Sequence, residues 1–297
     1  MTLHGPKSQS FISQRLRLHY VDWGNDAAPP LLLVHGGRDH CRSWDWVAEE
    51  LCQDWHVIAF DHRGHGDSEW VNDGNYLTSD MVYDLAQLVH QLDLAPVTIV
   101  SHSMGGDVSL RYAAAFSDKV SKLVAIEPAG VSPEMLLGNN DKSYTEQVHD
   151  WVLDKRKAAG RLPRRYTTLE EAFSRMIEAN KFLSEDQARH LTFHGVNRNE
   201  DGSFSWKFDP YLHQYPVDAT PHEKLQQAWQ AITCPTLLFY GADSWVTDPV
   251  QTGWIKHFRD ARMVKFENAG HWLHHDQFDR FMAELRGFLC WLNYLMP

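Results

Sequence analysis

Short apolar runs and amphipathic stretches alternate along the first 127 residues and again over the last 66 or so. Phe11 to Trp23 alternates loosely, with Leu16, Leu18 and Tyr20 on one face, and predicts a strand or hairpin at a sheet edge. Leu31-Leu32-Leu33-Val34, led by Pro30 and closed by His35-Gly36-Gly37, reads as a strand buried on both faces. The same grammar recurs at His56 to Phe60, Val97 to Val100, Val120 to Ile126 and Pro235 to Tyr240, and more weakly at Met263 to Phe266. Helical patterns fall between the runs, at Trp44 to Leu51, Ser79 to Leu92 and Met104 to Phe116. Buried strands alternating with amphipathic helices imply right-handed crossovers and a doubly wound, mainly parallel α/β sheet.

Between Pro128 and Ile232 the alternation stops. Three capping-box patterns stand there: Thr168-x-x-Glu171, Ser184-x-x-Gln187, and Thr220-x-x-Glu223 with Pro221 at the first helical position. One hairpin signal interrupts them, Asp201-Gly202 followed by alternating Phe204, Trp206 and Phe208. This predicts a core of residues 1–127 and 232–297, with a mostly helical insertion, 128–231, folded over the sheet. The insertion's aromatic residues, Trp151, Tyr166, Phe173, Trp206, Phe208, Tyr211 and Trp229, divide between its own small core and the roof of a pocket. Its basic cluster, Lys155 to Lys157 with Arg161, Arg164 and Arg165, reads as a solvated helix face.

Composition narrows the function. At 297 residues, 43% hydrophobic and 23% charged, the chain has the makeup of a folded globular protein. Its net charge of -11 is the wrong sign for a broad phosphate-binding face, so nucleic acid is not an expected partner. No apolar run approaches the ~20 residues that span a bilayer, and the first residues lack the apolar stretch of a signal peptide, so a cytoplasmic protein without membrane insertion is expected. Cys41, Cys52, Cys234 and Cys290 are widely spaced and read as reduced. Nothing in the pattern points to an oligomeric state.

Ser101-His102-Ser103-Met104-Gly105-Gly106 follows a buried strand and opens a helix at once. It resembles the G-x-S-x-G nucleophile elbow of alpha/beta hydrolases, with Ser101 where glycine is usual. A serine hydroxyl needs a base near neutral pKa and a group that orients the base. Asn268-Ala269-Gly270-His271 delivers a histidine after the last strand, at the sheet edge where sites form, and resembles the family's final Gly-His motif. A metal reading of His271 with His275, four residues apart, lacks an H-E-x-x-H or Cys/His ligand set, so neither metal nor cofactor is expected. For the acid, Gly241-Ala242-Asp243 resembles the family's usual place, although one residue shorter than the commonest version. Asp243 is therefore preferred, with Glu127, after Val120 to Ile126, and Asp248 as alternatives.

Two backbone N–H donors must face the developing oxyanion, each typically worth about 3 kcal/mol in the transition state. The resemblance places one at Met104 and the other at Gly37 or Arg38, in a loop similar to the family's His-Gly loop. Asp61-His62-Arg63-Gly64-His65-Gly66-Asp67-Ser68 resembles its D-x-R-G-x-G-x-S turn, with Asp61 and Arg63 expected to tie loops together. The four motifs stand in the family's order, and within its capped group the chain looks most like the serine hydrolase-like and carboxylesterase branch. Ser103 disfavours the aspartate chemistry of epoxide hydrolases and haloalkane dehalogenases. The resemblance implies a cofactor-free serine hydrolase acting on a small-molecule ester of small to medium, apolar character. Carbon-carbon bond hydrolysis with the same triad, and a non-catalytic ligand-binding role, are the alternatives.

Overall fold

In the computed structural model, residues 5–128, 142–213 and 220–290 are described. Parts of the expected insertion (129–141 and 214–219) and the last residues of the expected core (291–297) lie outside them. A hairpin, β1 (Lys7–Ser13) and β2 (Leu16–Asp22), opens the chain. Then follow β3 (Pro30–Val34), α1 (Asp45–Leu51), β4 (His56–Phe60), α2 (Thr78–Gln91), β5 (Val97–His102), α3 (Ser103–Ala115) and β6 (Val120–Ile126). After the insertion come β10 (Thr236–Gly241), β11 (Ala261–Phe266), α8 (Leu273–Asp276) and α9 (Phe278–Cys290). These strands form one eight-stranded sheet in the order β1-β2-β4-β3-β5-β6-β10-β11. Only the β1–β2 and β2–β4 pairs are antiparallel.

Alternation along the strands sorts the core into two layers. Leu32, Val34, Ile58, Phe60, Ile99 and Leu123 face one side, under α2 and α3, where Leu85, Leu88 and Val108 meet them. Leu31, Leu33, Val57, Ala59, Val100, Val124 and Phe239 face the other, against Val47 and Leu51 of α1 and Phe281 and Leu285 of α9. Because β4 and β5 flank β3 on opposite sides, the chain reverses its winding there, and the loops after β3 and β5 part to leave a crevice at the carboxyl ends of the strands. The loop after β4 braces that edge. Asp61 accepts from the backbone of Cys41 (2.6 Å) and Asp67 (3.0 Å) and pairs with His19 (2.7 Å), while Arg63 forks onto the wholly buried Asp84 (2.6 and 2.7 Å).

The intervening segment holds α4 (Tyr144–Ala158), β7 (Arg165–Tyr166), α5 (Leu169–Ala179), α6 (Glu185–Gly195), β8 (Val196–Arg198), β9 (Phe204–Trp206) and α7 (His222–Ala231). The three strands form a separate antiparallel sheet, β7-β9-β8, turned at Gly202 with φ +83°. Ser184 and Gln187 close a full capping box at α6, and Thr168 caps α5. The box expected at Thr220 does not form: α7 begins one residue later than that pattern requires, and the Thr220 hydroxyl accepts from Arg111 (3.1 Å) instead. Leu225 and Trp229 of α7 pack into the layer beneath α3 with Trp254 and Phe258. In the basic cluster, Lys155 bonds Asn75 (2.7 Å) and Lys157 pairs with Asp154. All four cysteines are free. Among the described residues, no helix is long and apolar enough to cross a membrane.

Candidate active site

At the junction of β5 and α3 the chain turns through Ser103, whose φ of +51° lies in the left-handed region that non-glycine residues rarely occupy. Close packing enforces the turn. A Cβ at Gly105 would lie 2.3 Å from the His35 carbonyl oxygen, and one at Gly106 would lie 2.8 Å from Pro128 Cα, so helix and neighbouring loops approach as only glycine allows. Ser101 fits where glycine is usual because its hydroxyl is buried and donates to the Val124 carbonyl on β6 (2.9 Å). The β3 loop presses on the same corner: a Cβ at Gly36 would meet His102 Nδ1 at 2.7 Å and Ser103 Cβ at 3.1 Å. Gly37 faces Met104 at van der Waals distance, and Arg38, at φ +61°, continues the loop outward. Met104 lies in the first turn of α3, where backbone N–H groups have no intrahelical acceptor.

His271 Nε2 stands 2.8 Å from Ser103 Oγ, and His271 Nδ1 stands 2.6 Å from Glu127 Oε2. A carboxylate only accepts, so Nδ1 carries the hydrogen and Nε2 offers its lone pair to the serine hydroxyl. Glu127 is wholly buried, and it also accepts from the Gly241 backbone N–H (2.8 Å) and the Ser244 hydroxyl (2.6 Å). Its φ of +42° swings the side chain off the end of β6, and its own N–H is tied to Phe239 of β10 (2.9 Å). The ring of His271 is 19% exposed, which leaves an approach from solvent.

The geometry brings Glu127, not the preferred Asp243, to the histidine. Asp243 is solvent-exposed, and its backbone N–H is held by the Ala269 carbonyl (2.9 Å). The short turn after β10 is pinned at Gly241, where a Cβ would come within 2.6 Å of the Gly270 and Ala269 carbonyl oxygens. Ser244, not Asp243, therefore presents its side chain to Glu127, and the carboxylate that faces the histidine comes from the neighbouring strand. Asp248 is occupied locally, accepting from the Val250 N–H (2.8 Å).

Three contributors were not singled out from sequence. Ser244 holds Glu127, and the shortened turn was its only signal. Trp245, 64% exposed, lays its ring 4.8 Å from that of His271. His102 donates from Nε2 to the His271 carbonyl (2.9 Å) and packs on its ring; burial, reinforced by the neighbouring His271, holds the His102 pKa well below the usual histidine value. Among the described residues, the groups of three or more with metal-ligating atoms in mutual reach are His19 with Cys41 and Asp61, Asp45 with His190 and His194, and Asp22 with Asp26 and His56, none of which includes His271. The insertion rests on this edge, with Phe173, Leu183 and Leu191 packed against Trp46 and Trp272.

A family model described as the alpha/beta hydrolase fold matches residues 29–278. The chain is 29% identical over 192 residues to a serine hydrolase-like protein of Danio rerio, a match covering 63% of this chain and 57% of that protein, so it spans less than two thirds of that relative. It is 26% identical over 293 residues to an esterase of Mycobacterium tuberculosis, covering 97% of this chain and 91% of the relative. Among solved structures, the thioesterase domain from the curacin biosynthetic pathway superposes with a TM-score of 0.80 at 22% identity, covering 95% of this chain and 99% of that one, a likeness of fold.

Proposed function

Because the chain belongs to the alpha/beta hydrolase fold family, we propose that it is a serine hydrolase cleaving carboxylic esters of small to medium, apolar substrates through an acyl-enzyme. The observation that carries this reading is the unbroken line from Ser103 Oγ through His271 to Glu127, at 2.8 and 2.6 Å. An esterase among the full-length relatives supports the substrate class. Trp245 beside His271, and Met104 beside Ser103, supply apolar surface at the reacting bond.

In this mechanism His271 Nε2 takes the proton of Ser103 as Oγ attacks the ester carbonyl. The tetrahedral oxyanion sits between the backbone N–H of Met104 and that of Gly37 or Arg38. His271, now an imidazolium held by Glu127, gives its proton to the leaving alkoxide. Water then enters by the same route, losing a proton to His271 as it attacks the acyl carbonyl, and Ser103 Oγ leaves with that proton. His102 and Ser244 act as positioning residues, one on the histidine backbone and one on the acid. We read residues 142–213, the described part of the expected insertion 128–231 that precedes α7, as a cap over this edge.

Treatment with a fluorophosphonate followed by peptide mass mapping tests the nucleophile without knowledge of the substrate. Labelling is expected on Ser103, and Ser103→Ala is expected to fold normally and to lose on the order of 10⁶ in kcat on p-nitrophenyl butyrate. Labelling at another residue, or turnover retained by Ser103→Ala, overturns the assignment; a protein that neither labels nor turns over any ester is a binding protein on this fold.

A further inference from the structure

Beside the buried and tightly held machinery of Ser103, His271 and Glu127 stands a large apolar ring left in solvent. Trp245 is 64% exposed, yet the backbone that carries it is fixed on both sides. Ser244, before it, donates its hydroxyl to Glu127 (2.6 Å) and accepts from the Val246 N–H (3.2 Å), and Val246, after it, is buried. The indole is thus anchored next to His271, with ring centroids 4.8 Å apart and an interplanar angle of 45°, while most of its surface stays wet. Fixed aromatic surface of this kind, at the edge of a reacting centre, is surface that a substrate can cover. The insertion brings a second exposed ring to the same turn: Phe182, 41% exposed, lies against Gly270, where a Cβ would meet its ring at 3.2 Å.

The place of the proton donor decides which arm of an ester reaches Trp245. His271 Nε2, 2.8 Å from Ser103 Oγ, has to pass its proton to the leaving oxygen, which therefore sits within about 3 Å of Nε2. The alcohol arm begins at the carbon bonded to that oxygen, whereas the acyl chain begins beyond the carbonyl carbon. Around the imidazole, Nδ1 is taken by Glu127, and one flank is covered by the buried His102, with ring centroids 4.7 Å apart. The exposed Trp245 borders the part of the ring that stays open. An alcohol group extending from Nε2 toward solvent runs past the indole, which accepts a second ring in an offset or edge arrangement at centroid distances of about 4.5–7 Å.

We propose that Trp245 is the platform for the alcohol arm of the substrate and selects esters whose leaving group carries an aromatic ring close to the ester oxygen. The inference rests on Ser103 and His271 being the nucleophile and the base. Initial rates measured by pH-stat compare ethyl butyrate, benzyl butyrate and ethyl phenylacetate. Ethyl and benzyl butyrate pass through the same butyryl-enzyme, so the ratio of their kcat/KM values reads the alcohol arm, while ethyl phenylacetate carries its ring on the acyl arm. The wild type is expected to favour benzyl over ethyl butyrate by at least about tenfold, the scale of partly burying one ring. Trp245→Ala is expected to bring that ratio to within about threefold of one, and Trp245→Phe, which keeps an aromatic face, to retain most of it. The ratio of ethyl phenylacetate to ethyl butyrate is expected to be the same in all three proteins, and thermal melting checks the fold of each. A benzyl preference that is absent from the wild type, or that survives Trp245→Ala, overturns the platform; ethyl butyrate turnover and a fluorophosphonate label on Ser103 then leave the hydrolase reading standing. A loss confined to ethyl phenylacetate would put the indole on the acyl arm and overturn the assignment as well. No ester turnover together with no label on Ser103 would overturn the nucleophile and the platform at once.

Discussion

Replacing Glu127 by glutamine tests the acid at its most constrained point. The carboxylate accepts from three donors, the His271 Nδ1–H, the Ser244 hydroxyl and the Gly241 N–H, at 2.6, 2.6 and 2.8 Å. A glutamine has one acceptor oxygen and one NH2 group, so it cannot serve all three. With its oxygen toward Gly241, the NH2 group faces Nδ1–H, and the ring escapes the clash only by moving its hydrogen to Nε2, where it points at Ser103 and cannot take a proton. With its oxygen toward His271, the NH2 group faces the buried Gly241 N–H and the turn after β10 must shift. The first orientation loses the working tautomer, and the second keeps it only by displacing the turn that holds the side chain in place. The best-studied triad loses about 10⁴ in kcat for the equivalent change, or roughly 5 kcal/mol of transition-state stabilisation at about 1.4 kcal/mol per decade. Glu127→Gln is therefore expected to lower kcat on p-nitrophenyl butyrate by about that factor with KM changed little, and Asp243→Asn, at an exposed side chain, by less than about threefold. Circular dichroism and thermal melting of each variant separate lost chemistry from lost fold. Folded Glu127→Gln within tenfold of the wild type, or an equal loss at Asp243→Asn, would refute the assignment.

Arg63→Met strands the fully buried Asp84 carboxylate, whose remaining side-chain donor is Ser13 (2.6 Å); urea unfolding is expected to show a loss of about 3–5 kcal/mol, and the double change Arg63→Met with Asp84→Leu a smaller one. Burial raises the Asp276 carboxyl to about 6 from an ordinary 3.8, against the Gly270 N–H that bonds it (2.8 Å) and with the Glu127 charge adding to the rise. The stability tied to its protonated form is complete below pH 3.8 and lost as pH rises through about 6. Asp276→Asn should thus raise the melting temperature above pH 7 by an amount equivalent to about 1 kcal/mol, after discounting for partial exposure, and bring no gain near pH 4; a gain independent of pH would remove the explanation. Incubation with EDTA is expected to leave ester turnover unchanged, since both ring nitrogens of His271 are engaged by Glu127 and Ser103; inactivation reversed by zinc would require a different reading of that histidine.

The local pattern of the chain was enough to place the sheet and to set Ser103 and His271 at its carboxyl edge. Runs such as Leu31 to Val34 are apolar on both faces and can lie only inside a layered sheet, and a serine between a buried strand and a helix start, or a histidine after the last strand, is set by a few neighbouring residues whose steric needs are visible in their identities. The acid was legible only as a choice, because Asp243 and Glu127 each end a strand at the same edge and sequence spacing says nothing of which side chain crosses to the histidine. Glu127 is brought to the histidine by the contact of β6 with β10, more than a hundred residues apart, by a turn at Gly241 pinned against the Gly270 carbonyl, and by its own left-handed backbone. The same holds for α7, whose capping pattern resembled those before it but whose Leu225 and Trp229 pack into the core layer beneath α3. Short-range sterics write themselves into neighbouring residues; which distant surfaces meet depends on the packing of the whole chain, and there only the tertiary structure could bring Glu127 to His271 and Ser244 to Glu127.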